Sequence, residues 1–125
     1  MQSKSIFRFM AVLAALIVSL AAYAHTPLKT SSPAADSTVA QAGAIEVEFN
    51  GPVRLVRLQV MHGEVEVPTE FSVNPEPVAA YRIDAPDIPA GKITVEWAAI
   101  GADGHTLTDT FSFTVDPNAA ATAGN

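Results

Sequence analysis

Ala44-Ile-Glu-Val-Glu-Phe-Asn50 sets apolar Ile45, Val47 and Phe49 in alternation with Glu46 and Glu48. A period of two sends successive side chains to opposite faces of an extended chain, so this stretch is a strand with one face on a core. Gly51-Pro52 breaks it, since proline offers no N–H to a ladder. Val53 to Met61 is the next strand, with Leu55 on one face and Val56, Leu58 and Val60 mostly on the other. His62-Gly63 reads as a tight hairpin turn into Glu64-Val-Glu-Val-Pro68.

The same period continues towards the C-terminus. Asn74 to Pro89 carries four prolines and is mainly loop, with a short strand around Ala80 to Asp84. After a turn at Ala90-Gly91, Lys92 to Ile100 forms a strand with Ile93, Val95 and Trp97 on one face. Gly101-Ala-Asp-Gly-His105 is a polar loop, and Thr106 to Val115 closes the domain through Leu107, Phe111, Phe113 and Val115. No window outside the N-terminus has a 3.6-residue period. Short strands with no helix between them predict an all-β, antiparallel Greek-key sandwich or barrel.

Upstream, residues 1–24 have the three parts of a secretory signal: Lys4 and Arg8, an apolar run from Phe9 to Ala22, and Ala22-Tyr23-Ala24 as an A-x-A cleavage site. That run is shorter than the roughly 20 residues a bilayer span needs, which favours cleavage over an uncleaved anchor. Cleavage after Ala24 predicts a domain over 25–117, with residues 25–37 as an arm leading into it and 118–125 as a frayed tail. Loss of Lys4 and Arg8 leaves five basic residues against thirteen acidic ones, a net charge of −8 (5 − 13). Such a surface argues against nucleic acid as a partner. With no cysteine in the chain, thiolate ligation, a lipoprotein anchor and disulfide stapling are all excluded.

Processing would make His25 the first residue, offering an α-amine and an imidazole that close a chelate ring on one ion. The Asp103-Gly104-His105 loop adds a carboxylate and a second imidazole, with Gly104 permitting the bend that lets them converge. Three nitrogens and one oxygen suit tetragonal Cu(II); Zn(II) accepts the same donors but prefers a tetrahedron. A free α-amine and a free imidazole have reference pKa values of about 7.7 and about 6.5, so copper must displace protons to bind. Met61-His62 is read as packing and exposure, Trp97 as core, and Glu64, Glu66, Glu70 and Glu76 as a solvated face.

These residues carry a resemblance. His25-Thr-Pro-Leu28, Ser32-Pro-Ala34 and Ser37-Thr-Val39 resemble the opening of the CopC family of periplasmic copper-binding proteins. Val47-Glu-Phe-Asn-Gly-Pro-Val53 resembles its first core strand and turn. Trp97-Ala-Ala-Ile-Gly-Ala-Asp-Gly-His105, followed by Thr110-Phe-Ser-Phe-Thr-Val115, resembles its most recognisable segment. The resemblance implies a seven-stranded, Ig-like Greek-key β-barrel and one Cu(II) per chain, held by His25, Asp103 and His105. It also implies a periplasmic protein that works beside an inner-membrane copper transporter of the CopD type; a monomer is expected. Two departures stand out. Gly51 occupies a position where members often have a Glu near the copper, and Met61 is the only methionine left after processing, too few for a Cu(I) site.

The function expected is therefore sequestration or delivery of copper, without catalysis. Amine and two imidazoles also resemble the histidine brace of copper monooxygenases, but Asp103 would occupy a position such an oxidase keeps open. An Ig-like interaction module without metal is the remaining alternative.

Overall fold

A computed structural model describes residues 28–119; the predicted signal peptide, His25 and all but Asn118 and Ala119 of the predicted tail lie outside the described residues. Within them the chain forms β1 (Leu28–Ser32), β2 (Thr38–Val39), β3 (Ala44–His62), β4 (Val65–Val67), β5 (Val78–Asp84), β6 (Gly91–Ile100) and β7 (Thr106–Val115). The architecture is the all-β, seven-stranded Greek-key barrel expected.

Strand β3 organises it. Its first half, from Ala44 to Val53, pairs antiparallel with β1 on one side and β5 on the other. Its second half, from Arg54 to His62, pairs with β6 and β4. β7 continues the second sheet beside β6, and β2 runs parallel to β7 at its edge. One 19-residue strand thus belongs to two sheets and folds them onto a common core.

This corrects the expectation of a break at Gly51-Pro52. The chain stays extended there, but the register against β5 shifts between Glu48 and Val53, and neither Gly51 nor Pro52 has a ladder partner in β5. The proline's missing N–H therefore falls where the strand leaves one sheet for the other and no ladder bond is required. Tyr81 of β5 secures the corner: its hydroxyl donates to the Val53 carbonyl at 2.5 Å and accepts from the Leu55 N–H at 3.2 Å.

A second correction lies just beyond. Leu55 pairs with Ala99 and Arg57 with Ala98, so Val56 is the extra residue of a β-bulge. The bulge shifts the alternation by one. Leu55 and Leu58, three apart and expected on opposite faces, are both buried, at 0% and 3% exposure, while Val56 is only half-buried. The predicted arm is likewise no arm from Leu28 onwards, since Leu28 to Ser32 pairs along β3. Its Ser, Thr and Pro content hid an edge strand whose side chains are mostly exposed. The hairpin turn is Gly63-Glu64, with His62 paired to Val65 and Gly63 at φ 63°, as a two-residue turn with a leading glycine requires.

Inside, Ile45, Val47 and Phe49 meet Ile93, Val95, Phe111 and Phe113. Trp97 is core, 2% exposed, with its ring edge-on to Phe49 at a centroid distance of 5.1 Å. Its buried indole N–H has no partner among the described residues.

Candidate metal centre

The loop joining β6 to β7 is built by its own backbone. Gly101 N–H donates to the His105 carbonyl and Gly104 N–H to the Gly101 carbonyl, each at 3.0 Å. Gly104 takes φ 85°, a left-handed conformation that a side chain would strain. The tight turn brings Asp103 and His105 together, as their spacing suggested. Asp103 Oδ1 accepts the His105 backbone N–H at 3.0 Å, and its Oδ2 lies 2.9 Å from His105 Nδ1.

That second contact fixes the imidazole's chemistry. An ionised carboxylate can only accept, so Nδ1 carries the proton and Nε2 of the neutral ring keeps its lone pair for a metal. Both side chains are exposed, at 81% for His105 and 69% for Asp103. The hydrogen bond holds the His105 pKa above its ordinary value, with the carboxylate's charge adding to it. The same bond, first, and the backbone N–H, second, hold Asp103 below the usual carboxylate value. From sequence both residues were read simply as ligands; the carboxylate's hold on the ring could not be read from spacing alone.

No group of three His, Asp or Glu side chains converges among the described residues. The loop therefore supplies two donors, and any further one comes from elsewhere. The other end of the pattern, His25, lies outside the described residues, but where the chain enters the barrel is clear. Leu28 stands opposite Phe49 on β3, and five residues further along β3 Arg54 stands opposite Ile100, the residue before the loop. The strand that follows His25 thus starts at the end of the barrel that carries Asp103 and His105.

His62 is at the opposite end. Its Nε2 packs over Gly91, at 2.9 Å from where a Cβ would stand, and Gly91 is the first residue of β6. The D-G-H loop follows the last residue of that strand, roughly 30 Å away at the usual rise per residue. His62 and half-buried Met61 therefore take no part in a site at the loop. Glu64, Glu66, Glu70 and Glu76 are all exposed, as read. At Gly51 a Cβ would meet nothing within 4 Å, so packing leaves that position free to carry any side chain.

A family model described as the CopC domain matches residues 28–116. Copper resistance protein C of Escherichia coli is 30% identical over 109 residues, covering 78% of this chain and 86% of the relative. Among solved structures, CopC from Methylosinus trichosporium OB3b superposes with a TM-score of 0.61 at 22% identity, covering 74% of this chain and 94% of that one, a likeness of fold. PcoC, a methionine-rich copper resistance protein from Escherichia coli, superposes with a TM-score of 0.53 at 28% identity, covering 74% and 100%. The chain belongs to the CopC family of copper-handling proteins.

Proposed function

We propose that this protein is a periplasmic Cu(II) carrier that sequesters or delivers copper and catalyses no reaction. In this reading residues 1–24 are removed on export, and one Cu(II) per monomeric chain is taken by the α-amine and imidazole of His25, the imidazole of His105 and the carboxylate of Asp103. The observation that carries it is the Asp103–His105 turn. One imidazole is held by its Nδ1 at 2.9 Å, and its Nε2 is left exposed at the end of the barrel where the mature chain would begin. The donor set fits copper, because nitrogen-rich tetragonal sites prefer Cu(II) and two neutral imidazoles bind it near neutral pH. Family membership supports copper over zinc as the cargo. An inner-membrane transporter of the CopD type is the partner we propose for delivery.

A carboxylate oxygen can accept a hydrogen bond and ligate at once, but a carboxylate held on Nδ1 faces away from Nε2, so for Asp103 to join the ion bound there its Oδ2–Nδ1 contact must open. Copper titration of processed protein, followed by EPR, tests the assignment. We expect one Cu(II) per chain with nitrogen hyperfine structure, and weakening by about tenfold to a hundredfold or more in His25→Ala or when one residue precedes His25. Binding indifferent to both changes would remove the N-terminal histidine from the site.

A further inference from the structure

Beside the D-G-H loop is a cleft of about 250 Å³ lined by Pro52, Arg54, Pro77, Ile100, Gly101 and Ala102. It lies at the corner where β3 changes sheets, with Arg54 and Ile100 directly opposite one another across β3 and β6. Directly opposed residues share a face, so the guanidinium rises beside the Ile100 side chain. The two prolines bring no N–H, and Ile100 and Ala102 bring only carbon. Arg54 is thus the charged group of an otherwise apolar hollow.

That charge has no counter-ion among the described residues. Lys29 lies 3.8 Å from Glu48, Arg57 3.7 Å from Glu96 and Arg82 3.4 Å from Asp84, whereas Arg54 joins no carboxylate. Asp103, three residues beyond Ile100, is held by His105 instead, at 2.9 Å. Lys92 is also unpaired among the described residues, but it is the second residue of β6, at the far end of the barrel. In a chain of net charge −6, an exposed guanidinium beside apolar walls, with no carboxylate partner among the described residues, is suited to receive an anion.

We propose that the Arg54 cleft is a binding site for a short aliphatic carboxylate. The carboxylate takes the two-pronged face of the guanidinium, and its carbon chain lies against Pro52, Pro77 and Ile100. The volume is below the roughly 300 Å³ at which drug-sized ligand pockets begin, which limits the guest to a few carbons. An inorganic anion would gain the charge contact but nothing from the walls. The site does not depend on copper; in the metal-free protein the guest is seated next to a loop whose own carboxylate meets His105 through both oxygens.

The test is a titration of metal-free mature protein with sodium butyrate, followed by backbone and arginine side-chain NMR. Sodium chloride and phosphate at equal ionic strength serve as comparisons. Saturable shifts at Arg54, Gly101 and Ala102 are expected with butyrate, with affinity falling about tenfold or more in Arg54→Gln and unchanged in Lys92→Gln. Arg54 is exposed, so Arg54→Gln should leave the rest of the spectrum in place. Shifts that chloride reproduces, phosphate binding as tightly as butyrate, or butyrate binding undiminished in Arg54→Gln would each overturn the proposal. Copper stoichiometry measured on the same variant reports on the copper reading separately, since that reading expects it unchanged.

Discussion

Asp103 and His105 titrate as a pair, and each shift has a sign. The His105 pKa is raised, so its contribution to the folded turn is complete below its ordinary value of 6.5 and is lost as pH rises through the raised value. The Asp103 pKa is lowered, so its contribution is complete above its ordinary value of 3.8 and is lost as pH falls through the lowered value. The turn is therefore tightest between those ordinary values, and both groups are too exposed for the pair to add much to global stability. If His105 ligates copper, as proposed, the consequence is competition: a raised imidazole pKa means protons would begin to displace the metal at a higher pH than an isolated histidine would allow. In Asp103→Asn the His105 pKa should fall back towards its ordinary value. NMR titration of the ring protons of metal-free protein measures this, and an unmoved midpoint would show that the carboxylate does not hold the ring in solution.

Strand β3 puts its demands on the corner. Between Val53 and Leu55 the ladder passes from one sheet to the other, and the backbone groups left over meet one side chain, the Tyr81 hydroxyl. Tyr81→Phe keeps the ring and its edge-on contact with Phe49 at 6.3 Å but leaves a carbonyl and an N–H without that partner. It should destabilise the domain by about 1–3 kcal/mol, measurable by urea unfolding. A loss well under this range would mean that water replaces the hydroxyl at the corner. The strand's alternation was legible from Ala44 to Asn50, and the bulge at Val56 was not. Leu55 and Leu58 have the odd spacing that a bulge produces, but sequence spacing does not say which strand carries the extra residue; pairing with Ala98 and Ala99 does.

Across the whole molecule the two sheets meet on a few large side chains. Phe49 is 2% exposed and touches both Tyr81 of the first sheet and Trp97 of the second. Phe49→Ala should cost about 3–5 kcal/mol, most of the stability of a small domain at the low end of the usual range. Calorimetry should show a large drop in Tm or no cooperative transition, and a near-normal Tm would mean the core closes over the gap. By itself the sequence determined the all-β class, because the period of two in Ile45-Val47-Phe49 and Phe111-Phe113-Val115 is a local property of the chain. It also offered Asp103-Gly104-His105 as a turn that brings a carboxylate and an imidazole together, and the structure has them in contact. Only the tertiary structure decided that β3 runs unbroken through Gly51-Pro52 and that the serine-rich opening is an edge strand. The same holds for His62 being a barrel's length from His105 and for Arg54 standing beside the loop with no carboxylate partner among the described residues. Each of these depends on which strand lies next to which, and such pairing joins residues far apart in the chain whose local sequences carry no record of one another.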